Sequence, residues 1–145
     1  MAILNPYLTF LGNCEEAFNF YKSVFGGEFS SMGRFSEMPP QKDIILSEDE
    51  QNKIMHIALP ISEETTLMGS DAGAHRDART IVGNNISLSL TVESKEIADE
   101  IFNGLAENGA IPMPMETTFW GDYFGMCTDK FGINWMINVN LPEEK

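Results

Sequence analysis

Residues 3 to 11 read like a strand, with Leu8 and Phe10 alternating with Tyr7 and Thr9, the period of a strand with one face turned to a core. Asn13, with Glu16 three residues on, then predicts a capping-box start to a helix that ends at Gly26-Gly27. Inside it Ala17, Phe20, Tyr21 and Val24 fall at i, i+3, i+4 and i+7, the spacing of one buried stripe, so these aromatics are expected in the core. The pattern returns 81 residues later, where Leu88, Leu90 and Val92 stand for Tyr7, Thr9 and Leu11. Ala98, Ile101, Phe102 and Leu105 then repeat the helical stripe, behind a candidate cap at Ser94 and before Asn108-Gly109. The repetition lies in physical pattern more than in residue identity.

Three short strands are predicted after each helix, over 28–36, 54–60 and 66–71 in the first half and 110–118, 122–128 and 134–139 in the second. Each half therefore reads βαβββ, and the fold class is α+β. The first module is expected over 1–72, a linker over 73–85 and the second module over 86–140. The first half also carries an acidic insertion, SEMPPQKDIILSEDEQNK, in which Pro39-Pro40 stops a strand; it is a surface loop or a lid over a cleft. The stretch from Asp71 to Asn85 has little apolar periodicity and holds His75, Arg76, Asp77 and Arg79. It reads as a solvated connector, with contact to an anionic ligand group as the alternative.

With 145 residues the chain is long enough for one compact domain or two half-size modules. Nine basic against 22 acidic side chains, a formal charge of -13, repel phosphate backbones and anionic membranes, so no nucleic-acid or membrane partner is expected. The same charge attracts cationic ligands. No apolar run approaches the roughly 20 residues a bilayer span needs. Two cysteines make no disulfide framework, and MAILNPYLTF does not read as a leader peptide, so a cytoplasmic protein with reduced thiols is expected.

Candidate chemistry is sparse. His56 lies in IMHIALPI, where an inward imidazole can hydrogen-bond a ligand or act as acid or base; a core histidine satisfied by a backbone carbonyl is the alternative. Asp71, at the end of LMGSD, can orient His56 or bind a cation, or serve as a turn aspartate bonding its own backbone. Phe119, Trp120 and Tyr123 bracket a hairpin at Gly121-Asp122, and Trp135 follows on a neighbouring strand. Together they form an aromatic wall for a planar or cationic ligand, or else pack in a core or dimer interface. Methionines on the predicted strands, Met32, Met55, Met68, Met113, Met115 and Met136, suit an adaptable apolar cleft and equally an ordinary core. Cys14 opens the first helix, where a thiol can be activated, but no histidine is placed to pair with it.

Several segments resemble the PhnB-like branch of the vicinal-oxygen-chelate superfamily, which includes glyoxalase I, extradiol dioxygenases and bleomycin-resistance proteins. They are NPYLTFLGNCEEAFNFYKSVFGGE at 5–28, MHIALPI from Met55, LMGSD from Leu67 and FWGDYFGMCTDKFGINWMIN at 119–138. The last is the most specific, through Trp120, Gly121, Asp122, Gly125, Asp129, Phe131, Gly132 and Trp135 at those intervals. The resemblance implies a glyoxalase/bleomycin-resistance-like fold of two curled mixed sheets cupping a cleft, and a homodimer.

It also implies where metal-dependent relatives would place their ligands: Asn5 or Pro6, Met68, Ser87, and Trp135 or Met136. None is a good ligand for Zn, Ni or Fe(II), and His56 and His75 are the only histidines. No cofactor is expected; Asn and Ser oxygens with a carboxylate such as Asp71 leave room only for a weakly held hard cation. The resemblance thus points to a metal-independent small-molecule binder in a cleft lined by aromatic and Met residues, candidates being His56, Met68, Asp71, Phe119, Trp120, Tyr123 and Trp135. A metal-dependent lyase, isomerase or dioxygenase is the alternative. Similar sequences also carry a demethylubiquinone methyltransferase label, but the helix starts GNCEE and ESKEI lack the Gly-rich turn of the common S-adenosylmethionine enzymes.

Overall fold

The computed structural model describes residues 2–39, 45–73 and 79–141. His75, Arg76, Asp77 and Pro40, which figure in the expected linker and loop, lie outside the described residues. The chain forms two compact units, residues 1–81 and 82–145.

Unit 1 runs β1 (Tyr7–Phe10), α1 (Cys14–Phe25), β2 (Ser31–Arg34), α2 (Glu48–Gln51), β3 (Ile54–Pro60) and β4 (Thr66–Asp71), with a 3-10 turn over Phe35–Glu37. Unit 2 runs β5 (Ser87–Thr91), α3 (Lys95–Ala106), β6 (Ala110–Thr117), β7 (Asp122–Thr128) and β8 (Asn134–Asn140). Each unit is the expected βαβββ, and the two four-stranded sheets have matching orders, β1-β4-β3-β2 and β5-β8-β7-β6. The first strand of each pairs in parallel with the last, and the remaining pairs are antiparallel. Two elements are shorter than their patterns predict, since β1 and β2 cover four residues each.

One face of each sheet carries a helix. In unit 1 Ile57, Leu59 and Leu67 are buried on that face, with Phe18 lying against Gly69. A Cβ on Gly69 would stand 2.7 Å from Phe18 Cε1 and 2.7 Å from the Leu8 carbonyl oxygen, so only glycine admits the ring at that depth. This approach corrects the predicted stripe. The buried positions of α1 are Cys14, Ala17, Phe18 and Tyr21, and Phe20 and Val24 turn to its flank. In α3 the expected Ala98, Phe102 and Leu105 are buried, over Trp135, Ile137 and Val139 of β8, buried as well.

The caps differ between the two helices. Ser94 Oγ accepts the Ile97 amide at 3.2 Å, as its sequence position predicts. Asn13 makes no side-chain cap; instead Asp71, from the far end of β4, brings its carboxylate to the start of α1. Among the described residues no helix is long and apolar enough to cross a membrane.

Candidate functional site

Strand alternation sends successive side chains to opposite faces, so the faces left bare by the helices can be read from the register. In unit 1 that face carries Tyr7 and Thr9 from β1, Met68 and Ser70 from β4, and His56 and Ala58 from β3. Tyr7 is opposite Met68 and Thr9 opposite Ser70 in the parallel pair, and Ala58 is opposite Met68 in the antiparallel one. His56 pairs with Gly33 of β2, and a side chain at that glycine would meet the Glu37 carboxylate and the Met55 methyl.

The rings of Tyr7 and His56 stack across the sheet, centroids 5.9 Å apart and 29° from parallel. Tyr7 is half exposed at 48%, while Ser70 is buried at 4%. The arrangement therefore offers a phenol, an imidazole and the exposed hydroxyl of Thr9 beside a thioether. It can accept and donate hydrogen bonds to a bound molecule and pack an apolar part against Met68. Of these residues the sequence singled out His56 and Met68. Tyr7 and Thr9 are not among its candidates; the signal for Tyr7 is its even spacing with Thr9 on the strand that must pair with LMGSD.

Asp71 is not part of this face. It is buried at 3%, its Oδ1 accepting the amides of Gly12 at 3.0 Å and Cys14 at 2.9 Å and its Oδ2 the amide of Ile54 at 2.9 Å. The carboxylate ties the α1 N-terminus to β3, so it does not orient His56. Cys14, below it, is fully buried, and its thiol is pushed far up, first by burial and then by the charges of Asp71 and Glu15. A thiol so hard to ionise is not a nucleophile.

The helix-free face of unit 2 is laid out in rows. Thr91, Asn138, Phe124 and Glu116 form one, and Ser89, Met136, Met126 and Met113 the next. The expected wall of four aromatics is divided by the sheet. Tyr123 points to the helix side, where its hydroxyl donates to Asp99 of α3 at 2.6 Å; that bond, then burial, raises its pKa. Trp135 is 1% exposed, also on the helix side, and its Nε1 donates to Asp129 Oδ2 at 2.8 Å. Phe119 and Trp120 stay together at the β6–β7 turn, and Trp120 also meets Phe124, outside the expected four. Met113 and Met136 lie on the helix-free face with Met126, and Met115 packs at Gly125 on the other side.

Metal-dependent proteins of the superfamily this chain resembles hold a divalent ion, and the described residues of the two helix-free faces do not make a donor set that fits one. Among the described residues unit 1 offers one imidazole, His56, with a phenol, a thioether and hydroxyls, and in unit 2 the expected position Trp135 is turned into the core. Among the described residues no three His, Cys, Asp or Glu side chains converge.

A family model described as 3-demethylubiquinone-9 3-methyltransferase matches residues 2–138. Protein PA1353 from Pseudomonas aeruginosa is 38% identical, with a TM-score of 0.79 over 98% of this chain and 100% of that one. A putative 3-demethylubiquinone-9 3-methyltransferase, PhnB protein, from Bacillus cereus is 28% identical, with a TM-score of 0.69 over 94% of this chain and 98% of that one. A glyoxalase/bleomycin resistance protein/dioxygenase family enzyme from Burkholderia phytofirmans PsJN is 16% identical, with a TM-score of 0.60 over 96% of this chain and 97% of that one; it shares the fold.

Proposed function

The chain belongs to the family described as 3-demethylubiquinone-9 3-methyltransferase, PhnB-like proteins of the glyoxalase/bleomycin-resistance/dioxygenase superfamily, and from that premise we propose that it binds a small molecule without a divalent ion. The observation that carries this is the Tyr7–His56 stack on the helix-free face of unit 1, with Met68 registered beside Tyr7. A ligand with a flat or apolar body and a hydrogen-bonding edge suits these groups. The edge meets the imidazole and the hydroxyls of Tyr7 and Thr9, and the body lies on Met68. In this reading the protein works as a cytoplasmic homodimer.

Methyl transfer, which the family description names, gains no support from the first helix. The amides at the start of α1, where a cofactor carboxylate or phosphate would sit, already bond the Asp71 carboxylate. The superfamily's metal-dependent lyase, isomerase and dioxygenase chemistry would require ligands beyond those on the helix-free face of unit 1.

The test pairs elemental analysis of protein purified without an affinity tag with a thermal-shift screen of planar small molecules and of Zn, Ni, Mn, Fe(II) and Mg. A ligand at 100 times its Kd stabilises the fold by about 2.7 kcal/mol, well within detection. The proposal expects organic hits whose shift disappears in both Tyr7→Ala and His56→Ala. A stoichiometric ion that stabilises the protein, or hits indifferent to both substitutions, would overturn it.

A further inference from the structure

Unit 2 carries an arrangement that the unit 1 site does not use. The β6–β7 turn is fixed by its backbone. The amide of Thr118 donates to the Asp122 carbonyl at 2.7 Å and that of Gly121 to the Thr118 carbonyl at 3.1 Å, and the Asp122 amide bonds Thr118 Oγ1 at 3.1 Å. Gly121 takes the left-handed conformation that closes the turn, with φ 95°. Two large aromatic side chains are thus presented by a hydrogen-bonded turn, Phe119 at 98% exposure and Trp120 at 53%.

Their rings do not lie flat on the sheet. Phe119 and Trp120 meet at 88° with centroids 4.9 Å apart, and Trp120 meets Phe124 at 62° and 6.0 Å. The result is a corner of crossed aromatic faces. Glu116 is the direct cross-strand neighbour of Phe124, and Asp122 lies two residues before Phe124 on the same face. Directly opposite residues hold their Cβ atoms about 5 Å apart. Residues 82–141 contain eight acidic side chains and two lysines, and those lysines lie over the rings of Tyr123, at 5.2 Å, and Phe131, at 5.6 Å.

We propose that Phe119, Trp120 and Phe124 bind a small alkylated ammonium ion, with Glu116 and Asp122 supplying the counter-charge. Aromatic faces carry negative quadrupole density and attract a cation that sheds its water cheaply. A methylated ammonium does so, whereas a primary ammonium is strongly hydrated and needs three hydrogen-bond acceptors to leave water. A neutral apolar molecule would gain contact area only, and an anion would meet both carboxylates and the protein's overall negative field. The site uses residues of unit 2 alone, so failure of the His56 site leaves it intact.

The test is an NMR titration of the full chain with choline and with its neutral isostere 3,3-dimethylbutan-1-ol, following the two indole N–H signals. Trp120 and Trp135 are the only tryptophans, and Trp135 is buried, so one signal reports the site and the other the fold. The Trp120 signal is expected to move with choline and to need about two- to fivefold more of the neutral isostere. Phe119→Ala and the pair Glu116→Gln with Asp122→Asn should each weaken choline binding, and added salt should weaken it further. His56→Ala should leave it unchanged. Equal response to the two probes would mean an apolar surface, and no response would mean no site; either overturns the proposal. A variant whose Trp135 signal shifts before titration has altered the fold, and for it the conservative Phe119→Leu replaces the alanine.

Discussion

The indole N–H of Trp135 donates to Asp129 Oδ2, and the other carboxylate oxygen of Asp129 accepts the amides of Phe131 and Ile133 at 2.8 and 3.1 Å. Both residues are buried. One carboxylate thus fixes the β7–β8 turn and locks the largest core side chain of unit 2 against α3. Removing it leaves three donors without their acceptor, whereas Trp135→Phe leaves Asp129 with its two backbone partners. Asp129→Ala is expected to cost about 3 kcal/mol or more and Trp135→Phe about 2 kcal/mol, in urea unfolding followed by circular dichroism.

A parallel comparison separates the two helix starts. Ser94 caps α3 with its own hydroxyl, so Ser94→Ala should cost about 1 kcal/mol. Asn13 makes no side-chain cap, so Asn13→Ala should lie within about 0.5 kcal/mol of wild type. Asp71→Ala, which strips the acceptor from the amides of Gly12, Cys14 and Ile54, should exceed both. Equal losses at Asn13 and Asp71 in denaturant titrations would refute the division of labour.

That contrast marks how far the sequence could be read. Strand and helix periods are local, so the βαβββ order and five of the six later strands were legible nearly to the residue. Asp71 caps a helix from 57 residues away, and no local pattern announces it. The stripe of α1 is set by a missing side chain at Gly69 on another strand. The aromatic wall failed on parity. Trp135, Ile137 and Val139 alternate with Asn134, Met136, Asn138 and Asn140, a set that is polar but for Met136, which assigns Trp135 to the apolar face, and Tyr123 shares the parity of Gly125 and Cys127 rather than that of Phe124. His56 was visible as a rare residue type, but its partner Tyr7 emerges only once β1 is placed beside β4.

Gly69→Ala offers a direct test of the α1 packing. The new methyl would press on the Phe18 ring and on the Leu8 carbonyl, and overpacking of this kind costs about 1–3 kcal/mol. Adding Phe18→Leu should recover part of the loss, because the ring is one of the two obstacles. Thermal denaturation of the single and double variants measures the coupling; strict additivity would show that the ring is not what Gly69 accommodates.

The two thiols give the stability of the protein a signature at high pH. Burial, and then the charge of Asp129, pushes Cys127 up from 9.0 to about 11, and Cys14 lies higher for the same kind of reason. The native state therefore keeps protons that the unfolded chain releases. The contribution is complete below the unfolded pKa near 9.0 and is lost as pH rises through about 11. Unfolding free energy should fall over that window, and Cys127→Ala should flatten the fall relative to wild type, which separates it from lysine and tyrosine titration common to both. In the native protein at pH 8 both cysteines are expected to react with a thiol reagent only through unfolding, and both promptly in denaturant, because each is at most 1% exposed. Rapid native labelling of Cys127, or an unchanged pH slope in its alanine variant, would contradict its burial.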